Sequence, residues 1–136
     1  MEYFEKLPII FDEQKLVEAL DQVIFIAPWD TVGNPDQICL TKKRGQKTPD
    51  CYYEGNGGVY RTMVDGHEVI RQQEIDEREY DTFIPELENT YFKEVYDTLR
   101  DYVFKWDAIL GRVRLLKAQP RACLSWHRDP EGRIHV

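Results

Sequence analysis

One residue separates His127 from Asp129 in the run Ser125-Trp126-His127-Arg128-Asp129-Pro130-Glu131-Gly132-Arg133-Ile134-His135-Val136. In an extended chain side chains alternate between faces, so these two point the same way. A neutral imidazole and a carboxylate converging there offer a divalent metal one nitrogen, Nε2 or Nδ1, and one oxygen. Pro130-Glu131-Gly132 reads as a tight turn, and Arg133-Ile134-His135-Val136 as the start of another strand. Arg133 and His135 would share a face and could line the same cavity, where the planar fork of an arginine suits a carboxylate. A lone His-x-Asp is a weak signal. It gains from the β-like run before it and from the turn and Arg-Ile-His-Val after it.

The elements that must position these residues can be read backwards from the motif. Ala122 to Trp126 delivers His127, and Gln119-Pro120-Arg121 turns the chain before it. Arg112 to Lys117 alternates as a strand, with Val113 and Leu115 on one face and Arg112 and Arg114 on the other. Those arginines are either solvated or paired with acidic neighbours, or one of them borders a substrate entrance. Gly111 marks the break that precedes the strand. Ahead of it, Phe92, Val95, Tyr96, Leu99, Tyr102 and Val103 recur at helical spacing and predict a helix over about Thr90–Lys105, capped by Asn89 or Thr90. A second stripe, Leu16, Val17, Leu20, Val23 and Ile24, predicts a helix over about Glu13–Phe25, capped by Asp12 and ended by Pro28.

Leu7–Ile10 and Ile38–Thr41 read as short strands. Asp65-Gly66 reads as a two-residue hairpin turn between Val59–Val64 and His67–Ile70. His67, next to that turn, reads as exposed and without function. Gln72 to Asp81 reads as a polar loop or solvated extension. The basic stretch Lys42 to Lys47 reads as a solvated loop, with an anion contact as the alternative. Gly55-Asn56-Gly57-Gly58 lacks the Lys-Ser/Thr that follows a phosphate-cradling loop. The sum is an α+β domain, with two helices on one face of a mainly antiparallel sheet.

Gly111-Arg112-Val113-Arg114-Leu115-Leu116, Pro120, Leu124 to Asp129 and Arg133 to Val136 together resemble the core of the iron(II)/2-oxoglutarate dioxygenases. The branch they are most similar to is the aspartyl/asparaginyl and proline hydroxylase-like group. The resemblance implies a double-stranded β-helix, a cupin-like jelly roll, with residues 1–110 as the N-terminal helix and strand region and 111–136 as the first core strands. It implies that His127 and Asp129 are catalytic and ligate Fe(II), that Arg133 faces the substrate and that His135 faces the 2-oxoglutarate. The implied reaction hydroxylates a C–H bond of an amino-acid or peptidyl substrate, with 2-oxoglutarate as co-substrate and ascorbate as a stimulant. In that family the second His ligand and the cation for the distal carboxylate lie further along than Val136. The chain is therefore expected to be an N-terminal portion, inactive or weakly active alone, and to self-associate through an open sheet edge at Ile134 and Val136. The alternative is a non-catalytic remnant or binding module that keeps this half of the fold.

Bulk properties bound the remaining classes. The 136 residues match one domain, and 42% hydrophobic with 12% aromatic residues suffice for a core. A net charge of -7 and a pI near 5.0 speak against nucleic acid as partner, because phosphates reward a basic face. No run approaches the roughly 18 apolar residues of a membrane span. The start, Met1 to Lys6, has no signal-peptide pattern, which predicts a cytoplasmic protein. Cys39, Cys51 and Cys123 are scattered and read as reduced thiols. A zinc hydrolase is disfavoured, since neither a His-Glu-x-x-His motif nor a cysteine ligand set is present.

Overall fold

Asp12 starts the first helix as its composition predicts. Its Oδ1 accepts a hydrogen bond from the Lys15 amide at 3.2 Å, and α1 (Glu13–Ile26) follows. The computed structural model describes residues 6–29, 37–47, 50–53, 59–72, 76–118 and 133–136. Only Ala19 and Val23 of α1 are fully buried, with Leu16 and Leu20 packed partly against the core. The helix ends when the Ala27 amide bonds back to the Val23 carbonyl, just before Pro28.

Two short strands come next, β1 (Gln37–Cys39) and β2 (Thr41–Lys42), separated by a bend at Leu40. They are one extended segment that changes partner. β1 pairs antiparallel with β6 (Arg114–Leu116) in the register Ile38↔Leu115 and Cys39↔Arg114. β2 pairs antiparallel with β5 (Thr82–Phe83) in the register Thr41↔Phe83. Leu40 joins the two ladders, because its N–H donates to the Val113 carbonyl while its own carbonyl accepts from the Ile84 amide, both at 2.9 Å.

The hairpin β3 (Val59–Val64) and β4 (His67–Gln72) closes with Val64↔His67 across Asp65-Gly66. Asp65 at φ 50° and Gly66 at φ 78° give the left-handed turn that matches strand twist. His67 is exposed, as expected.

α2 (Tyr91–Phe104) buries Phe92, Val95, Tyr96, Leu99 and Val103 of the stripe read from the sequence, and leaves its Tyr102 half-buried. Phe92 and Tyr96 meet Ala19 and Val23 of α1 and Ile38, Leu40, Phe83, Ile84 and Leu87 in one apolar cluster. Val113 and Leu115 pack against the same cluster, which leaves Arg112 and Arg114 for the other side of the strand. The molecule is thus α+β, with two helices and small antiparallel sheets. Among the described residues no helix is long and apolar enough to cross a membrane.

Three local expectations need correction. Leu7–Ile10 forms no strand: the chain bends at Pro8, and Ile10 is exposed with no ladder beside it. Thr90 occupies the cap position of α2, but its hydroxyl donates to the Leu87 carbonyl at 2.7 Å instead of capping the helix. α2 ends at Phe104, about where the apolar spacing places it, and the turn beyond it closes at Asp107, which takes φ 54°, with the Ala108 amide returning to the Val103 carbonyl and the Asp107 amide to the Phe104 carbonyl. Arg133 to Val136 forms no strand among the described residues either, and all four residues are exposed.

Candidate functional site

The turn that carries Glu77 is built locally. The Asp76 carboxylate accepts from the Arg78 amide and from Arg78 Nε and Nη2, each at 3.0 Å, and so starts the 3-10 turn Glu77–Glu79. The Arg78 side chain holds the Asp76 carboxyl below the usual carboxylate range. Gly111 lies directly against this turn. A Cβ at position 111 would stand 2.9 Å from Glu77 Cβ and 3.0 Å from the Glu77 carbonyl oxygen, closer than packed atoms tolerate. Only glycine lets the two segments approach this far.

That approach sets up the most buried ion pair among the described residues. Glu77 Oε1 accepts from Arg112 Nη2 at 3.0 Å, and Oε2 accepts from the Arg112 backbone N–H at 3.3 Å. The Arg112 side chain is 5% exposed and that of Glu77 27%. On the next residues, the Val113 amide donates to the buried Thr41 Oγ1 at 3.0 Å, and Arg114 Nη1 donates to Gln37 Oε1 at 2.7 Å. Strand β6 is therefore tied to the 3-10 turn on one side and to the β1–β2 segment on the other.

Two buried side chains line the arginines. The Tyr80 ring centre lies 5.9 Å from the Arg112 guanidinium carbon and 5.5 Å from Lys43 Nζ, and burial raises the pKa of its hydroxyl. Cys39 stands opposite Arg114 in the ladder. Burial pushes its thiol up to about 11, against the downward pull of Arg112 and Arg114. A thiol so firmly protonated is no nucleophile at neutral pH.

The electrostatics of the cluster are lopsided. Arg112 Nε and Nη1 are buried and have no hydrogen-bond partner among the described residues. A buried unsatisfied donor costs about 1–3 kcal/mol, and a guanidinium cannot escape by losing its proton. Burial, then the charges of Arg112 and Arg133, hold Arg114 below the usual arginine range. Nearby acidic groups are engaged elsewhere: Glu79 with Lys43 at 3.2 Å, Asp81 with Arg44 at 3.1 Å and Asp76 with Arg78. The basic stretch beginning at Lys42 is thus clasped by the acidic turn.

Of the residues singled out in the sequence, His127 and Asp129 lie outside the described residues. Arg133 and His135 are exposed, and the Arg133 charge reaches Arg114. Among the described residues no three His, Cys, Asp or Glu side chains converge as a metal site would require. No family model, curated protein or solved structure matches the chain. Glu77 and Gln37 escaped the sequence reading, and Gly111 reads there only as a break. Glu77 sits in the acidic run from Glu74 to Asp81, where nothing in residue type marks one carboxylate out.

Proposed function

We propose that this chain carries the N-terminal part of an iron(II)/2-oxoglutarate oxygenase of the aspartyl/asparaginyl and proline hydroxylase type, acting on a C–H bond of an amino-acid or peptidyl substrate. The observation that carries the reading is the strand that precedes the motif: β6 forms there, with Val113 and Leu115 packed on the core. In the resemblance this strand is the first core strand, directly ahead of the residues that carry His127 and Asp129.

In this reading the imidazole of His127 and the carboxylate of Asp129 hold iron(II), whose donor preference they suit in kind. Bound iron(II) with 2-oxoglutarate and O₂ supplies the oxidising power for hydroxylation. The contribution of the chain is positional: β6 anchors the near side of the site, Arg133 orients a substrate carboxylate, and His135 faces the co-substrate. A double-stranded β-helix as the complete fold and a cytoplasmic location belong to the same proposal. Buried thiols at Cys39 and Cys51 accord with that location.

Anaerobic isothermal titration with Fe(II) or Mn(II) tests it. Binding by the wild type should weaken at least about tenfold in both His127→Ala and Asp129→Ala. Unchanged binding in both variants would overturn the ligand assignment, and no binding by the wild type would favour a non-catalytic remnant.

A further inference from the structure

We propose that the buried guanidinium of Arg112, with Arg114 beside it on β6, forms a binding site for a small carboxylate anion. Glu77 Oε1 occupies only one of the two N–H groups on Arg112 Nη2. The other faces an edge that it shares with Nε or with Nη1, both of which have no partner among the described residues. One full edge of the planar fork is therefore left for an acceptor, and a carboxylate matches it with two parallel bonds. A carboxylate lies wholly in the plane of that edge, whereas a tetrahedral oxyanion brings only two of its oxygens to it.

Charge points the same way. Arg112 and Arg114 repel one another on the same side of the strand, and among the described residues the carboxylate of Glu77 hydrogen-bonds to Arg112. The side chain of Arg114 donates to the neutral amide of Gln37, which brings no negative charge to the pair. The Arg112 side chain is buried and Arg114 is half-buried, in a chain of net charge -7. The acidic side chains of the neighbouring turn are bonded to Lys43, Arg44 and Arg78. An anion from solution would complete the fork and offset the repulsion between Arg112 and Arg114. Gly111, by admitting the Glu77 turn, fixes the orientation of the edge that remains. The site does not depend on metal, so it stands whether or not the oxygenase reading holds.

The test is a thermal-shift titration of the chain with succinate, EDTA present throughout, alongside ¹⁵N spectra of the arginine Nε–H groups. Succinate should raise the melting temperature in a saturable way and move the Arg112 Nε–H resonance. Arg112→Lys keeps the charge but loses the fork, and should weaken binding at least about tenfold. Arg114→Gln leaves the Glu77 pair intact and serves if Arg112→Lys fails to fold; it should weaken binding severalfold. The proposal is overturned if succinate gives no saturable shift, if Arg114→Gln binds as tightly as wild type, or if inorganic phosphate binds as well as succinate. Because EDTA excludes metal, failure here and failure of the iron titration are separate results.

Discussion

Glu77 grips Arg112 twice, one oxygen on the guanidinium at 3.0 Å and the other on the backbone N–H at 3.3 Å. A single carboxylate 35 positions earlier thus fixes both the charge and the main chain of the residue that leads into β6. Glu77→Ala leaves the Arg112 charge buried without its counterion. Breaking a buried pair costs about 3–5 kcal/mol, with the lower end apt here because Glu77 is partly exposed. Urea denaturation should show a lower midpoint with an unchanged slope.

Gly111→Ala should be destabilising despite adding helix and strand propensity. The new methyl meets Glu77 Cβ and the Glu77 carbonyl, neither of which is the mobile end of a long side chain. The turn must move away, at a cost of about 1–3 kcal/mol, and the Glu77–Arg112 contacts should loosen with it. A thermal melt measures the first effect. Faster hydrogen exchange at the Arg112 amide measures the second.

Stability should fall at alkaline pH through Cys39. Its folded pKa, about 11, exceeds the ordinary 9.0, so the native state favours the protonated thiol. The contribution is fully present below pH 9.0 and is lost as the pH rises towards 11. A rise of that size corresponds to about 2–3 kcal/mol. Cys39→Ala should flatten the alkaline decline in a denaturation series run from about pH 8 to about pH 11.

Asp12→Ala removes the acceptor for the Lys15 amide at the start of α1. The loss should be about 1 kcal/mol, and Asp12→Asn or Asp12→Ser should recover most of it. Chemical denaturation followed by far-ultraviolet circular dichroism checks both.

What could be read in the sequence was the part governed by period and by local chemistry. Both helices follow from apolar spacing, the α1 cap from a carboxylate beside its own amides, and the hairpin from Asp65-Gly66. Pairing partners were not legible, because nothing in Ile38–Thr41 says that the segment changes neighbours at Leu40. Gly111 reads as a break because glycine is permissive, whereas its role is the close approach of Glu77. The end of α2 is legible too, because the apolar spacing stops at Val103, while the left-handed Asp107 in the turn beyond it is not. For the site, alternation correctly separates Arg112 and Arg114 from Val113 and Leu115. It could not say which acid would pair with which arginine. His127 and Asp129 remain readings of the motif alone.

The dual bonding of Leu40 has a consequence for the order of events during synthesis. Its bond to Ile84 can form once the chain through β5 has left the ribosome, but its bond to Val113 must wait for β6. The links from Thr41 to Val113 and from Gln37 to Arg114 span 72 and 77 positions, so they close late, while the β3–β4 hairpin closes across two residues. Until then the β1 stretch presents bare amides and carbonyls beside buried Ile38, an adhesive strip on a nascent chain. A translation pause before the codon for Arg112 should prolong that exposure and raise aggregation, whereas a pause well after β6 has emerged should not.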